Sequence, residues 1–218
     1  MRLFEQYRPK TWDELVGHDK IKAQIDALRK RGLGGRAYWI TGGSGRGKTT
    51  IAYLIAHELA DDWFVSEIDA TQLTPARLKE IEQSSRLYAS GLGGRAYIVN
   101  EAQGLRKDTI RQLLVTLERS GLPDHVAWIF TTTKEQGDLF ENIEKDESSA
   151  LLSRCERLDL AARNLTQAMA ARAKEIAVAE GLDGRPIAAY VKRLQDHRNN
   201  MRALLQDIES GAMMAAAS

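Results

Sequence analysis

Two apolar patterns alternate along the first 160 positions. Short apolar runs mark buried strands: Ala37-Tyr38-Trp39-Ile40, Trp63-Phe64-Val65-Ser66-Glu67-Ile68, Ala96-Tyr97-Ile98-Val99, Val126-Ala127-Trp128-Ile129-Phe130 and a shorter Arg157-Leu158-Asp159-Leu160. Between them, apolar residues three and four apart mark helices. One carries Ile21, Ile25 and Leu28, with Asp19 as the expected cap; another carries Ile51, Leu54, Ile55 and Leu59. Thr74-Pro75 opens a third through Leu78 and Ile81, with proline at a permitted first-turn position. A fourth carries Ile110, Leu113, Leu114 and Leu117, capped by Asp108 and ended by Gly121. This alternation predicts an α/β fold with a five-stranded parallel sheet covered on both faces. Ahead of it, Tyr7-Arg8-Pro9-Lys10-Thr11-Trp12 is held extended by the restriction on a residue preceding proline.

After residue 161 the strand signals stop and three helical patterns follow. Leu165, Met169 and Ile176 lie on the first, closed by Gly181. Pro186 opens the second, with Ile187, Tyr190, Val191 and Leu194. Asn199 or Asn200 caps the third, which carries Met201, Leu204, Leu205 and Ile208 and closes at Gly211. The expected division is an α/β domain over 1–161, a small three-helix domain over 162–212 and a frayed tail over 213–218. The heptapeptide Gly-Leu-Gly-Gly-Arg-Ala-Tyr occurs at 32–38 and 91–97, each time feeding a strand; two copies make similar strand entries, not a repeat architecture.

Composition narrows the classes. With 31 basic and 30 acidic residues, the 218-residue chain carries a net charge of +1, so no global basic field draws it to nucleic acid; any such contact is a local patch. Cys155 is the only cysteine, which excludes disulfides within the chain and cysteine-rich zinc modules. No apolar run approaches a membrane span and the N-terminus lacks a signal-peptide core, so a reducing cytoplasmic setting (nucleoid or nuclear in other cell types), not a membrane, is expected.

The candidate chemistry begins between the first strand and its helix. Gly42-Gly43-Ser44-Gly45-Arg46-Gly47-Lys48-Thr49-Thr50 has the spacing G-x-x-x-x-G-K-T. A glycine-rich turn there aims backbone N–H groups and a positive helix end at one point, which suits a polyphosphate. Gly43, Ser44, Gly45, Arg46, Gly47 and Thr50 are therefore candidate contacts to ATP. Lys48 would reach its outer phosphates, and the Thr49 hydroxyl would ligate Mg²⁺. The third strand ends in Asn100-Glu101. Glu101 suits a carboxylate that polarises the attacking water, and Asn100, where an aspartate is usual, can accept from a metal-bound water without bringing charge. The fourth strand ends in Thr131-Thr132-Thr133; Thr133 is the expected polar group beside Glu101, and ordinary strand preference explains Thr131. Arg154, in Ser153-Arg154-Cys155, is of the type that stabilises charge on a transferring phosphoryl group.

The order of these parts resembles the clamp-loader branch of AAA+ ATPases, the replication factor C small subunits and bacterial gamma/tau subunits. The resemblance rests on Tyr7-Arg8-Pro9 through Val16-Gly17, the phosphate loop, Asn100-Glu101, the threonine run, Ser153-Arg154-Cys155 and Asn200-Met201-Arg202-Ala203-Leu204-Leu205, and covers the chain to about residue 210. It implies that Tyr7, Arg8, Pro9, Val16 and Gly17 border the adenine and that Arg202 is a lid arginine touching nucleotide. Arg154 would be a finger reaching a neighbouring subunit's ATP. It further implies an oligomer of AAA+ subunits, a pentamer in the family, which loads a sliding clamp onto primer–template DNA. Arg77, Lys79, Arg106, Lys107 and Arg111 are the candidate DNA contacts.

Three departures accompany the resemblance. Asn100 suggests slow hydrolysis, with Mg²⁺ held mainly by nucleotide and Thr49. Residues 134–149 form a longer, acidic link read as a solvated insertion, and no collar domain follows the lid in this sequence. Two other readings stay open: an assembly subunit that binds nucleotide with little or no hydrolysis, and another DNA-linked AAA+ ATPase for branch migration or replication restart.

Overall fold

The computed structural model of the chain describes residues 1–118, 122–133, 145–160 and 165–215. Its strands are β1 (Arg36–Thr41), β2 (Val65–Asp69), β3 (Arg95–Asn100), β4 (Val126–Thr132) and β5 (Cys155–Asp159). They form one parallel sheet in the order β2-β3-β4-β1-β5. The helices are α1 (Leu3–Gln6), α2 (Asp19–Arg29), α3 (Lys48–Leu59), α4 (Pro75–Ser84), α5 (Lys107–Glu118), α6 (Lys145–Ser153), α7 (Thr166–Ala179), α8 (Ile187–Asp196) and α9 (Met201–Glu209).

Successive strand residues point to opposite faces, and here both faces are apolar. Trp39, Val99, Trp128 and Phe130 pack with Leu78, Ile81, Ile110, Leu113 and Leu151, from α4, α5 and α6. Tyr38, Ile40, Ile98 and Ile129 pack with Ile21, Ile25, Ile51 and Ile55, from α2 and α3. Each fully buried side chain of this size is worth about 1.5–3 kcal/mol, enough to fix the register of the strands that carry them. A third core joins α7, α8 and α9 through Ala173, Ile176, Tyr190, Leu194, Leu204 and Ile208. Leu3 is buried in that core while Leu15 belongs to the sheet-side core, so the first residues cross between the two bodies. An N-terminal turn seated among the C-terminal helices is a feature that the division at residue 161 did not anticipate.

Several element ends differ from expectation. Trp63 and Phe64 lie in a one-turn 3-10 helix over Asp62–Phe64, not in β2, and Trp63 is almost fully exposed. Asp19 is the first residue of α2 rather than its cap; His18 occupies that place with left-handed backbone. In α5 the first helical bond goes to the Arg106 carbonyl, so Arg106 precedes the helix, and the Asp108 carboxylate accepts from the adjacent Thr109 N–H at 2.8 Å. Thr74 and Asn200 do cap, accepting from the N–H groups of Arg77 and Ala203. β5 begins at Cys155, so Ser153-Arg154-Cys155 passes directly from α6 into a strand. Residues 145–149, read as part of a solvated insertion, belong to α6, where Glu147 takes the Arg111 guanidinium at 2.7 Å. Gly121, residues 134–144 and the 161–162 boundary lie outside the described residues.

Candidate nucleotide site

The sheet positions the site because β1, β3 and β4 all end at one edge. The phosphate loop leaves β1 there, Asn100 closes β3, and Thr131 and Thr132 close β4. A cavity of about 370 Å³ opens at that edge, of the size that takes a small ligand. It is lined by Ser44, Gly45, Arg46, Gly47, Lys48, Thr49 and Thr50, and also by Tyr7, Pro9, Val16, Met169, Ile176 and Leu205. A lining with both a glycine-rich anion-binding loop and apolar side chains matches a molecule that carries phosphates and a flat base. Five basic side chains, Arg8, Arg46, Lys48, Arg172 and Arg202, line the cavity against the carboxylates of Glu14, Glu67 and Glu101. The chain is almost neutral overall, but this cleft is positive, which favours a polyanion.

The loop's glycines are required by close approach. A Cβ on Gly45, whose φ is +70°, would stand 1.7 Å from Asn200 Oδ1, and the Gly45 carbonyl accepts from the Met201 N–H at 3.1 Å. The start of α9 therefore rests on the phosphate loop. Lys48 is buried, and its ammonium donates to the carbonyls of Gly42 (2.8 Å) and Gly43 (3.0 Å). Burial is the main reason its pKa falls below the ordinary lysine value, with the Glu101 carboxylate opposing. Such an ammonium, poor in water contacts, is poised for an anion.

Glu101 stands just past β3 with φ +51°, a left-handed backbone that costs a non-glycine residue free energy and aims its side chain. Its Oε2 accepts from the Gln103 amide at 2.6 Å and from the Thr133 hydroxyl at 3.3 Å. Gln103 is in turn oriented by the Thr132 hydroxyl, at 2.6 Å. Thr133 is thus beside Glu101 as expected. Thr131 does more than fill a strand position: its hydroxyl donates to Asn100 Oδ1 at 2.8 Å. The Thr49 hydroxyl, the Asn100 amide and the Glu67 carboxylate offer oxygen donors at the cavity, a set that suits Mg²⁺.

Of the expected contacts, Tyr7, Arg8, Pro9, Val16, the loop from Ser44 to Thr50, Asn100, Glu101, Thr133 and Arg202 all line the cavity. Gly17 and Gly43 do not line it; both support it. A Cβ on Gly17, at φ +70°, would stand 2.3 Å from Leu165 Cδ2, and one on Gly43 would stand 2.9 Å from the Arg46 guanidinium carbon. Arg154 is elsewhere. It sits at the start of β5, at the edge of the sheet opposite the phosphate loop, where its guanidinium pairs with Glu118 at 3.0 Å and donates to the Ala150 carbonyl at 2.8 Å. Arg77 and Arg111, among the DNA candidates, are paired with Glu80 and Glu147, each at 2.7 Å.

Sequence reading missed Phe4, His18, Glu67 and Arg172, which also line the cavity. Phe4 lies under the Arg202 guanidinium, 5.3 Å from ring centroid to carbon. His18 is buried, with Nε2 3.0 Å from the Arg46 carbonyl, and burial lowers its pKa below the ordinary histidine value. The unfolded chain takes up this proton near pH 6.5 while the folded chain resists it, so stability falls as pH drops through about 6.5. Urea unfolding at pH 7.5, 6.5 and 5.5 should show that loss in the parent chain and a flatter dependence in His18→Gln. Parallel losses in the two would assign the acid limb to other groups.

No protein-family model matches the chain. DNA polymerase III subunit gamma of Buchnera aphidicola is 26% identical to it over 191 residues, which cover 77% of this chain and 49% of that protein. Replication factor C small subunit of Haloarcula marismortui is 31% identical over 123 residues, covering 53% of this chain and 37% of that protein. Among solved structures, the RuvB Holliday junction branch migration motor of Thermotoga maritima matches with a TM-score of 0.71 at 22% identity, covering 93% of this chain and 64% of that one. The chain spans about half or less of the length of these two sequence relatives. The structural similarity shows that the chain shares the fold of that motor protein, and the sequence similarities are to a DNA polymerase III gamma subunit and a replication factor C small subunit.

Proposed function

We propose that this chain, similar to clamp-loader AAA+ ATPases, is an ATP-binding and hydrolysing subunit of an assembly that loads a sliding clamp onto primed DNA. The observation that carries the reading is a separation. The phosphate loop, Glu101, Thr133 and Arg202 converge on one cavity, while Arg154 stands at the far edge of the sheet, outside it. In this reading Lys48 and the loop N–H groups hold the phosphates, Tyr7, Pro9 and Val16 border the base, and Thr49 holds Mg²⁺. Glu101, steadied by Thr133 and Gln103, accepts a proton from the attacking water. Mg²⁺ supplies charge neutralisation at the phosphates when bound. Arg154 serves a neighbour's ATP. Its ion pair with Glu118, whose carboxylate is two-thirds exposed, is worth about 0–1 kcal/mol, little enough to exchange for a phosphate.

An exposed apolar surface supports a protein partner. Trp63, Leu87, Tyr88 and Leu92 are each at least 60% exposed and belong to the segments that lead into β2 and β3, at the end of the sheet away from the phosphate loop. The clamp is the partner assigned to it here. Asn100 favours a second reading, an assembly subunit with weak hydrolysis. ATP turnover, measured with and without primed DNA over a range of protein concentrations, separates the two. DNA-stimulated turnover that rises more steeply than linearly with concentration supports the first; tight ATP binding without turnover supports the second.

A further inference from the structure

The motif residues leave two carboxylates of the cavity without a role, Glu14 and Glu67; Glu14 takes the Lys10 backbone N–H, and Glu67 is the one joined to Asn100. Glu67, on β2, takes a different donor on each oxygen: Oε1 accepts from the Asn100 side-chain amide and Oε2 from the Tyr53 phenol. Burial, reinforced by Glu67 itself, pushes the Tyr53 phenol up to about 12, so it remains a donor throughout the working range. The Asn100 carbonyl oxygen faces the other way and accepts from the Thr131 hydroxyl at 2.8 Å. Donation therefore runs in one direction, from Thr131 on β4 through Asn100 on β3 to Glu67 on β2. Each carboxylate oxygen of Glu67 keeps a lone pair for something in the cavity that it lines.

An aspartate at position 100 would remove the N–H donor to Glu67 and set a second carboxylate against the first. Two carboxylates at hydrogen-bond distance do not both ionise readily. Asparagine leaves one full negative charge, moved one strand across the sheet. We propose that Glu67 supplies the carboxylate toward the magnesium of the bound nucleotide, by accepting from one of its waters, and that Asn100 is a positioning residue that aims Glu67. Magnesium suits this role because it keeps several waters and takes few protein ligands directly. The inference rests on the ATP-binding reading above and revises the expectation that nucleotide and Thr49 hold the ion without a protein carboxylate.

The test measures ion affinity apart from turnover. The parent chain, Glu67→Gln, Asn100→Asp and the double variant are stripped of metal with EDTA, freed of the chelator, loaded with a fluorescent ATP analogue, then titrated with Mn²⁺ followed by electron paramagnetic resonance. Glu67→Gln should weaken ion binding about 10- to 100-fold, the usual effect of losing an outer-shell partner. Asn100→Asp alone should bring no gain. The double variant should recover most of the loss, because it again holds one carboxylate on the two strands. Tyr53→Phe, which removes a donor to Glu67 but no charge, should weaken ion binding relative to the parent by a few-fold, less than about tenfold; if Glu67→Gln fails to fold, an ion affinity unmoved in Tyr53→Phe overturns the proposal. Ion affinity unmoved in Glu67→Gln, or strengthened in Asn100→Asp alone, overturns the proposal. Failure of the parent chain to bind the analogue at all would instead overturn the ATP-binding reading beneath it.

Discussion

Arg154→Ala should leave ATP binding by the altered chain within about twofold of the parent and lower turnover by about a thousandfold or more, the scale on which arginine fingers act. The two effects separate because Arg154 lies at the opposite edge of the sheet from the cavity of its own chain. Substitution costs the fold little: the side chain is about one-quarter exposed and is held by one surface ion pair and one carbonyl. The decisive version is a mixture. Lys48→Ala chains should bind no nucleotide but still carry Arg154. Added to Arg154→Ala chains, they should restore part of the lost turnover, with an optimum at an intermediate ratio. Turnover by the parent chain that scales linearly down to isolated single chains would be fatal to the proposal.

Glu101→Gln is the second large effect. The amide keeps the size, the left-handed backbone and the contacts to Gln103 and Thr133, but it accepts no proton from water. Turnover should fall about 10²- to 10⁴-fold, the range for a general base, while bound ATP persists long enough to be recovered from filtered protein. Stability should be unchanged, since Glu101 is exposed. A fall of less than about threefold would show that the carboxylate is not the base. The base would then have to be sought among the remaining cavity carboxylates, Glu67 first.

The strands β1, β3 and β4 were legible to within a residue or two because both of their faces are apolar and no competing period fits. β2 was misread at its start because Trp63 is apolar but solvent-exposed, and apolarity alone does not say which way a ring points. Caps followed the same divide. Thr74 and Asn200 have a side-chain oxygen where the orphan amide needs it. Asp108 has one too, but it is taken by the next residue's N–H. In the site, contiguous motifs were visible and distant partners were not. Glu67 read as one polar position in a strand; its meaning depends on Asn100, 33 residues away. Arg172 did leave a signal, since Met169, Arg172 and Ile176 share one face of α7 and all three reach the cavity. That face was read as core alone. Gly17 was assigned to the adenine wall, whereas what demands glycine there is the side chain of Leu165.

The placement of Arg154 and the cavity at opposite ends of the same parallel strands has a geometric consequence. A two-fold pair buries identical patches, and no single patch easily spans both ends of a sheet. Copies that share a triphosphate must therefore stack head to tail, each presenting its guanidinium end to the cleft of the next. Such stacking always leaves one cleft unserved at one end of an open arc, unless the arc closes into a ring.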